Sequence, residues 1–192
     1  MKKFLFTTAI ILFFSNFSKA QNLKLMTYNI RLDLASDGEN AWSNRKDYFC
    51  SQLAFYEPDV FGIQEALPNQ VIDIASALPK YNHVGVGRDG IGKGESSNIF
   101  YKKDRFELLQ ESTFWLSETP EVMSKGWDAA LNRVCTYALF KDKKTKQIFW
   151  VFNTHFDHIG ELARTNSIKL ILSKIKTLNA KNYPVFFMGD FN

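Results

Sequence analysis

The segment "YPVFFMGDFN" (183–192) decides how this chain is read. Val185 to Met188 are apolar without alternation, as in a strand covered on both faces. Gly189, Asp190 and Asn192 follow at once, so polar groups sit where that strand would end. The same arrangement recurs upstream. "QIFWVFNTHF" (147–156) runs into Asn153 and His155, with Asp157 and His158 just beyond. "LKLMTYNI" (23–30) alternates and reaches Asn29, and "DVFGIQE" (59–65) reaches Gln64 and Glu65. Four strand ends therefore carry amide, carboxylate or imidazole groups. Strands sharing one core would bring these ends to one rim.

The remaining segments supply the rest of that core. "SNRKDYFCSQLAFYE" (43–57) has helical spacing and stops before Pro58, and "PNQVIDIASAL" (68–78) opens with a Pro that the first helical turn accepts. Residues 161–178 place Ile168, Ile171, Ile175 and Leu178 on one helical face. A strand over 81–87 leads into the Gly-rich loop "RDGIGKGE" (88–95), followed by extended runs at 96–101, 105–116 and 132–141. A turn at "DKKTK" (142–146) makes a hairpin with 147–156. Helices alternate with strands early and antiparallel-type runs fill the middle. The expectation is an α+β domain of packed sheets with helices outside.

Composition bounds the reading. The chain has 192 residues, 45% hydrophobic and 15% aromatic, enough for one domain with a sizeable core and unlike a disordered chain. Residues 1–20, "MKKFLFTTAIILFFSNFSKA", combine Lys2 and Lys3 with an apolar run from Phe4 to Phe14 and the small-residue pattern Ser18-Lys19-Ala20. This pattern is a secretory signal peptide cut after Ala20. Its apolar run is too short to span a bilayer, and no Cys stands at the cut to take a lipid. The expected domains are 1–20, signal peptide, and 21–192, one folded unit. The expected location is periplasmic or extracellular, with no stable membrane anchor. Setting aside residues 1–20, with three Lys and no acid, lowers the formal charge from +4 to +1 (21 Lys and Arg against 20 Asp and Glu). Nothing in that charge calls for a nucleic acid or an anionic membrane. Cys50 and Cys135 lie among apolar neighbours and read as two buried thiols.

The polar groups at the strand ends suit a hard divalent cation. Carboxylate and amide oxygens favour Mg²⁺, Mn²⁺ or Ca²⁺, and the thiolates that zinc favours are absent from the set. A histidine within reach of such a metal suits phosphate-ester hydrolysis. Taken alone, each residue has a plainer explanation. Asn29 can cap a turn, Glu65 can favour a helix N-terminus, His155 can be a satisfied core histidine, and Asp190 and Asn192 are ordinary turn residues. The ordered set is what points to chemistry.

In that order, "MTYNIR", "GIQEA", "NTHFDH" and "MGDFN" resemble the endonuclease/exonuclease/phosphatase superfamily, the deoxyribonuclease I-like fold. "GESSNIFYKKDRFEL" and "FWLSETP" are similar to its exported bacterial members. The resemblance covers residues 23–192. It implies a four-layer α/β/β/α sandwich and a hydrolase that cleaves phosphodiesters or phosphomonoesters with a divalent metal, usually Mg²⁺. It implies that Asn29 and Glu65 hold the metal. His155 would contact the scissile phosphate, Asp190 would orient or deprotonate the attacking water, and Asn192 would hold a phosphate oxygen. It places Glu95 as the acid that hydrogen-bonds His155 and favours its protonated form. Arg133 and Asn153 are the implied phosphate contacts, and a solvated strand charge is an equal reading of Arg133. No shared role is implied for Asp157 or His158. The superfamily pattern also continues past "GDFN" to an Asp-His pair, so the chain is expected to be a fragment with its second sheet incomplete.

The expected partner is a phosphate-ester substrate, a small molecule or lipid headgroup. An exported nuclease is the alternative, with "KKDR" (102–105) and "KDKKTK" (141–146) as candidate basic patches. A non-catalytic fragment or binding module that keeps the fold is the third reading.

Overall fold

The computed structural model describes residues 22–192, and the signal-peptide reading of 1–20 lies outside them. The elements in chain order are β1 (Leu25–Asn29), a 3-10 segment (Ala35–Asn40), α1 (Trp42–Tyr56), β2 (Val60–Gln64), α2 (Pro68–Ala77), β3 (Tyr81–Val84), β4 (Ile99–Lys102), β5 (Phe106–Trp115), β6 (Val134–Asp142), β7 (Ile148–His155), α3 (Glu161–Leu178) and β8 (Val185–Asp190). They form two four-stranded sheets, ordered β1-β2-β4-β3 and β5-β6-β7-β8. The 3-10 segment was not expected from the sequence, and the strand read over 81–87 ends at Val84, where the Gly-rich loop begins.

The layers follow from side-chain alternation. In β2, Val60 faces the second sheet while Phe61 and Ile63 face the helices. In β7, Phe149 and Val151 face the first sheet, and Trp150 and Phe152 face the opposite way. Three cores result. Trp42, Phe49 and Leu53 of α1 and Val71 and Ile74 of α2 pack on the first sheet. Val60, Ile99, Tyr101, Phe140 and Val151 fill the space between sheets. Ile171 of α3 covers Phe114, Cys135 and Phe152 on the outer face of the second sheet. The order is helix, sheet, sheet, helix, as the resemblance implies. Cys50 and Cys135 are buried free thiols.

Strand directions position the site. β1 and β2 are parallel and joined through α1; β7 and β8 are parallel and joined through α3. β4 runs antiparallel to β2, and β6 antiparallel to β7. The carboxyl ends of β1, β2, β7 and β8 and the amino ends of β4 and β6 therefore share one rim. Carboxyl ends of parallel strands are where α/β units place ligands.

Candidate active site

Asn29, at the end of β1, organises the acidic half of this rim. Its Nδ2 donates to Glu65 Oε1 at 2.8 Å and to Asp190 Oδ2 at 2.8 Å. One neutral amide thus joins two carboxylates from different sheets. Its Oδ1 accepts from Arg31 N at 3.0 Å, and Glu65 Oε2 accepts from Leu32 N at 3.1 Å. The loop after β1 is held from behind. Gln70 Nε2 donates to Arg31 O at 2.9 Å, and its Oε1 accepts from Asp33 N and Leu67 N. The guanidinium of Arg45 donates to Ile30 O and Arg31 O. Arg31, Glu65 and Asn192 have φ of 58°, 63° and 56°, the left-handed region that residues with a side chain seldom occupy. Such strain clusters at functional sites.

β8 approaches β7 closely enough to require Gly189. A Cβ there would lie 2.2 Å from Thr154 O, and φ is 154°. The approach sets Asp190 level with His155, with Asp190 Oδ2 3.9 Å from His155 Nε2. Burial pushes the Asp190 carboxyl up, but hydrogen bonds from Asn29 and Asn192 N pull it below the ordinary range. Asp190 is therefore ionised at neutral pH. Among the described residues no Lys or Arg forms an ion pair with Glu65 or Asp190.

The other half of the rim is basic. Asn192 Nδ2 lies 3.0 Å from His155 Nε2 and donates to Phe156 O at 2.9 Å. An amide NH₂ only donates, so Nε2 accepts and the ring proton belongs on Nδ1. Burial, with Arg133 nearby, lowers the His155 pKa and keeps the imidazole neutral. This corrects the expectation that Glu95 hydrogen-bonds His155 and favours its protonated form. Glu95 Oε1 lies 2.7 Å from Arg88 Nη2 instead, and His155 Nδ1 is buried with no hydrogen-bond partner among the described residues.

Arg133 is buried beside His155. Its Nε donates to Asp157 Oδ1 at 3.2 Å, and its Nη2 lies 3.0 Å from His158 Nδ1. Asp157 has the plainest role at this rim. It accepts from the amides of Ala130 (3.0 Å), Leu131 (3.4 Å), Ile159 (3.1 Å) and Gly160 (2.8 Å). Burial pushes its carboxyl up, and those amides with Arg133 draw it well below the ordinary range. It ties the loop before β6 to the start of α3, whose first amides at Leu162 and Ala163 are capped by Asp128.

Asn153 is a second correction. It is fully buried, and its Nδ2 donates to Ile63 O and Asn98 O at 2.9 Å each. Its Oδ1 accepts from Gln64 Nε2 at 2.7 Å. The amide is spent on joining the two sheets and cannot reach a phosphate. Asn29, Glu65, His155, Asp190 and Asn192 do converge, with Arg133 adjoining. The sequence reading missed Arg88 and Gln70, and it placed Asp157 among the strand-end polar groups without a role. An arginine inside a Gly-rich loop was the available signal for Arg88.

The donor set fits a hard divalent cation in kind. Mg²⁺ is commonly held by one or two carboxylates and keeps several waters. Glu65 and Asp190 are two carboxylates with no cationic side chain between them, though among the described residues no three His, Cys, Asp or Glu gather to hold a metal unaided. A groove of about 400 Å³ leads away from Asn29 along α1, lined by Tyr28, Arg31, Arg45, Tyr48 and Gln52.

Comparison with known proteins agrees with this fold. The crystal structure of a mannosyl-6-phosphatase from Bacteroides thetaiotaomicron is 44% identical with a TM-score of 0.87; the match covers 89% of this chain and 66% of that one. An endonuclease/exonuclease/phosphatase from Bacteroides vulgatus is 46% identical with a TM-score of 0.86, over 88% and 66% of the two chains. A probable RNA exonuclease of Schizosaccharomyces pombe is 25% identical over 93% of this chain and 38% of its own length. The chain thus spans less than two thirds of the length of these relatives. Family and neighbours are hydrolases acting on phosphate esters. The Endonuclease/Exonuclease/phosphatase family model matches residues 26–192, and the chain belongs to that family.

Proposed function

We propose that this chain carries the centre of an Mg²⁺-dependent hydrolase that cleaves phosphate esters of small molecules, a phosphorylated sugar foremost. One observation carries the reading: Glu65 and Asp190 share the Asn29 amide, and among the described residues neither forms an ion pair with a Lys or Arg. Two carboxylates in that position favour a divalent cation. The sugar phosphate rests on the mannosyl-6-phosphatase likeness at 44% identity. The near-neutral charge of 21–192 also favours a small substrate over duplex nucleic acid, whose affinity comes largely from Lys and Arg on phosphates.

Glu65 and Asp190 are the residues that would hold the cation; Asn29, expected as a ligand, turns its NH₂ to both carboxylates and its Oδ1 to Arg31 N, and so would position the two acids instead. A bound Mg²⁺ supplies Lewis acidity toward phosphoryl and leaving-group oxygens. The chain's own groups supply the rest. Asp190, ionised and fixed by Asn29 and the Asn192 amide, accepts a hydrogen bond from the attacking water and aims it. A dianionic phosphoryl group bound beside His155 would favour a proton on His155 Nε2, which would then donate to a phosphoryl oxygen. Asn192 Nδ2 and the Arg133 guanidinium, oriented by Asp157, add donors where charge develops. We further propose that residues 1–20 direct export of the protein.

The test is phosphate release by the full-length protein from mannose 6-phosphate, glucose 6-phosphate and p-nitrophenyl phosphate, with and without EDTA, beside an RNA oligomer and plasmid DNA. Mg²⁺-dependent turnover of the small substrates supports the reading. Turnover of RNA or DNA alone supports the nuclease alternative, which the exonuclease relative favours. No turnover of any substrate leaves the binding-module reading.

A further inference from the structure

We propose that Arg88 lines a one-oxygen recess beside His155 and makes this site select phosphate monoesters over diesters. The inference rests on the phosphoester-hydrolase reading above.

Arg88 stands on a loop that is closed and tied down. A Cβ at Gly87 would lie 2.0 Å from Lys93 O, so only glycine lets the two arms of the loop approach. Arg88 N donates to Glu95 O at 2.8 Å, and Gly90 N to Gly87 O at 3.0 Å. Trp115 Nε1 donates to Arg88 O at 2.7 Å, anchoring the loop to β5. Asn132 Nδ2 donates to Asp89 Oδ1 at 3.0 Å, anchoring it to the segment before β6. The guanidinium is held as firmly as its backbone. Nη2 pairs with Glu95 Oε1 at 2.7 Å, and the two side chains are 14% and 12% exposed. This is a pre-organised arginine and not a mobile surface one.

Its place in the rim gives it a function. Arg88, Glu95, Ser96, Ser97, Arg133 and His155 line a recess of about 10 Å³. A cavity of that size admits about one water-sized atom. The recess opens to solvent, and a non-bridging phosphoryl oxygen can sit in it beside both arginines. At neutral pH a monoester presents three non-bridging oxygens and close to two negative charges. A diester presents two such oxygens and one charge. The third oxygen of a monoester is the group this recess can take. Charge-assisted hydrogen bonds from a fixed guanidinium are the strong kind.

A plainer role is open to the Arg88–Glu95 pair, that of closing the loop. The experiment separates the two on the full-length protein by kcat/KM for p-nitrophenyl phosphate and bis(p-nitrophenyl) phosphate, which share a leaving group. Inorganic phosphate binding by calorimetry and thermal unfolding accompany it. The parent is expected to favour the monoester strongly. Arg88→Gln is expected to lower monoester kcat/KM by about 10–100-fold, to leave the diester within about threefold, and to weaken phosphate binding by about tenfold. Arg88→Lys keeps the charge without the planar fork and should fall between; it serves as the test if the Gln variant does not fold. A parent that turns over the diester as well as the monoester overturns the proposal. So do equal losses on both substrates, which mean a structural role alone. If the parent turns over neither substrate, the hydrolase reading fails, and phosphate binding still judges Arg88. A parent that binds phosphate no better than its Arg88→Gln variant overturns it.

Discussion

The two rims of the sandwich handle their acids in opposite ways, buried at one and half-buried at the other. At the rim away from the site, Asp59 and Asp142 flank Arg105, whose Nη1 lies 2.6 Å from Asp59 Oδ2 and whose Nε lies 2.9 Å from Asp142 Oδ2. Lys102 Nζ adds a second cation 3.1 Å from Asp59, and backbone amides of Lys24, Lys144 and Thr145 occupy remaining lone pairs. Every charge there has a partner. At the near rim, Glu65 and Asp190 divide one neutral amide. The strands are the same and the sheets are the same, yet one rim is balanced for stability and the other is left short of positive charge. Folding alone does not favour such a deficit, since buried acids stabilise only when paired. On the proposed function, this is where a cation and a phosphate ester would bind.

Substitutions at both rims test the contrast. Glu65→Gln keeps volume and removes charge from the near rim. Activity should fall about a thousandfold, roughly 4 kcal/mol of barrier, with a higher Mg²⁺ requirement and little change in melting temperature. Steady-state kinetics across a Mg²⁺ titration check this; equal activity for variant and parent would remove Glu65 from the site. Arg105→Met does the reverse. It leaves Asp142 without a cation and Asp59 with Lys102 alone, and should cost about 3 kcal/mol of stability by urea unfolding, with kcat per folded molecule unchanged.

Asp157 lies between these cases, a structural acid inside the functional rim. Asp157→Asn should cost about 2–3 kcal/mol near pH 7, because Arg133 loses its counter-charge and four amides lose a charged acceptor. It should also lower kcat by loosening Arg133. The pH dependence has a fixed sign. The folded carboxyl titrates below the ordinary value, so its contribution is complete above the unfolded value of about 3.9 and is lost as pH falls toward the folded one. Parent and variant melting temperatures should therefore converge below about pH 4. A gap that stays constant there would contradict the assignment. The smallest effect belongs to Asn153→Ala. Unpairing Gln64 Nε2, Ile63 O and Asn98 O should cost about 2 kcal/mol by denaturant unfolding, with KM unchanged. A selective rise in KM would return Asn153 to the phosphate site.

The near rim was legible in the sequence wherever a polar residue ended an apolar strand. Asn29, Glu65, His155, Asp190 and Asn192 all satisfy that condition. Asn153 satisfied it too and misled. It sits on the same face of β7 as His155 but two residues back, roughly 6–7 Å deeper, where the rim has become core. Alternation names a face and not a depth. Glu95 was assigned to His155 because nothing in the sequence brings Arg88 to it; that pairing depends on a loop closed around Gly87. Asp128 and Asp157 cap and clamp segments that meet only in three dimensions, so no local pattern assigns either its role. The layers themselves were readable from period-two strands and helical stripes, which are local patterns.

Thermal unfolding with and without Mg²⁺ tests the central claim most directly, on the full-length parent, Glu65→Gln and the far-rim variant Asp59→Asn. A cation that binds only the folded protein raises its melting temperature in proportion to occupancy. The account predicts an Mg²⁺-dependent rise for the parent, the same rise for Asp59→Asn from a lower starting point, and none for Glu65→Gln. An equal rise in the Glu65→Gln variant, or a rise lost in Asp59→Asn, would place the cation elsewhere and contradict the reading of the two rims.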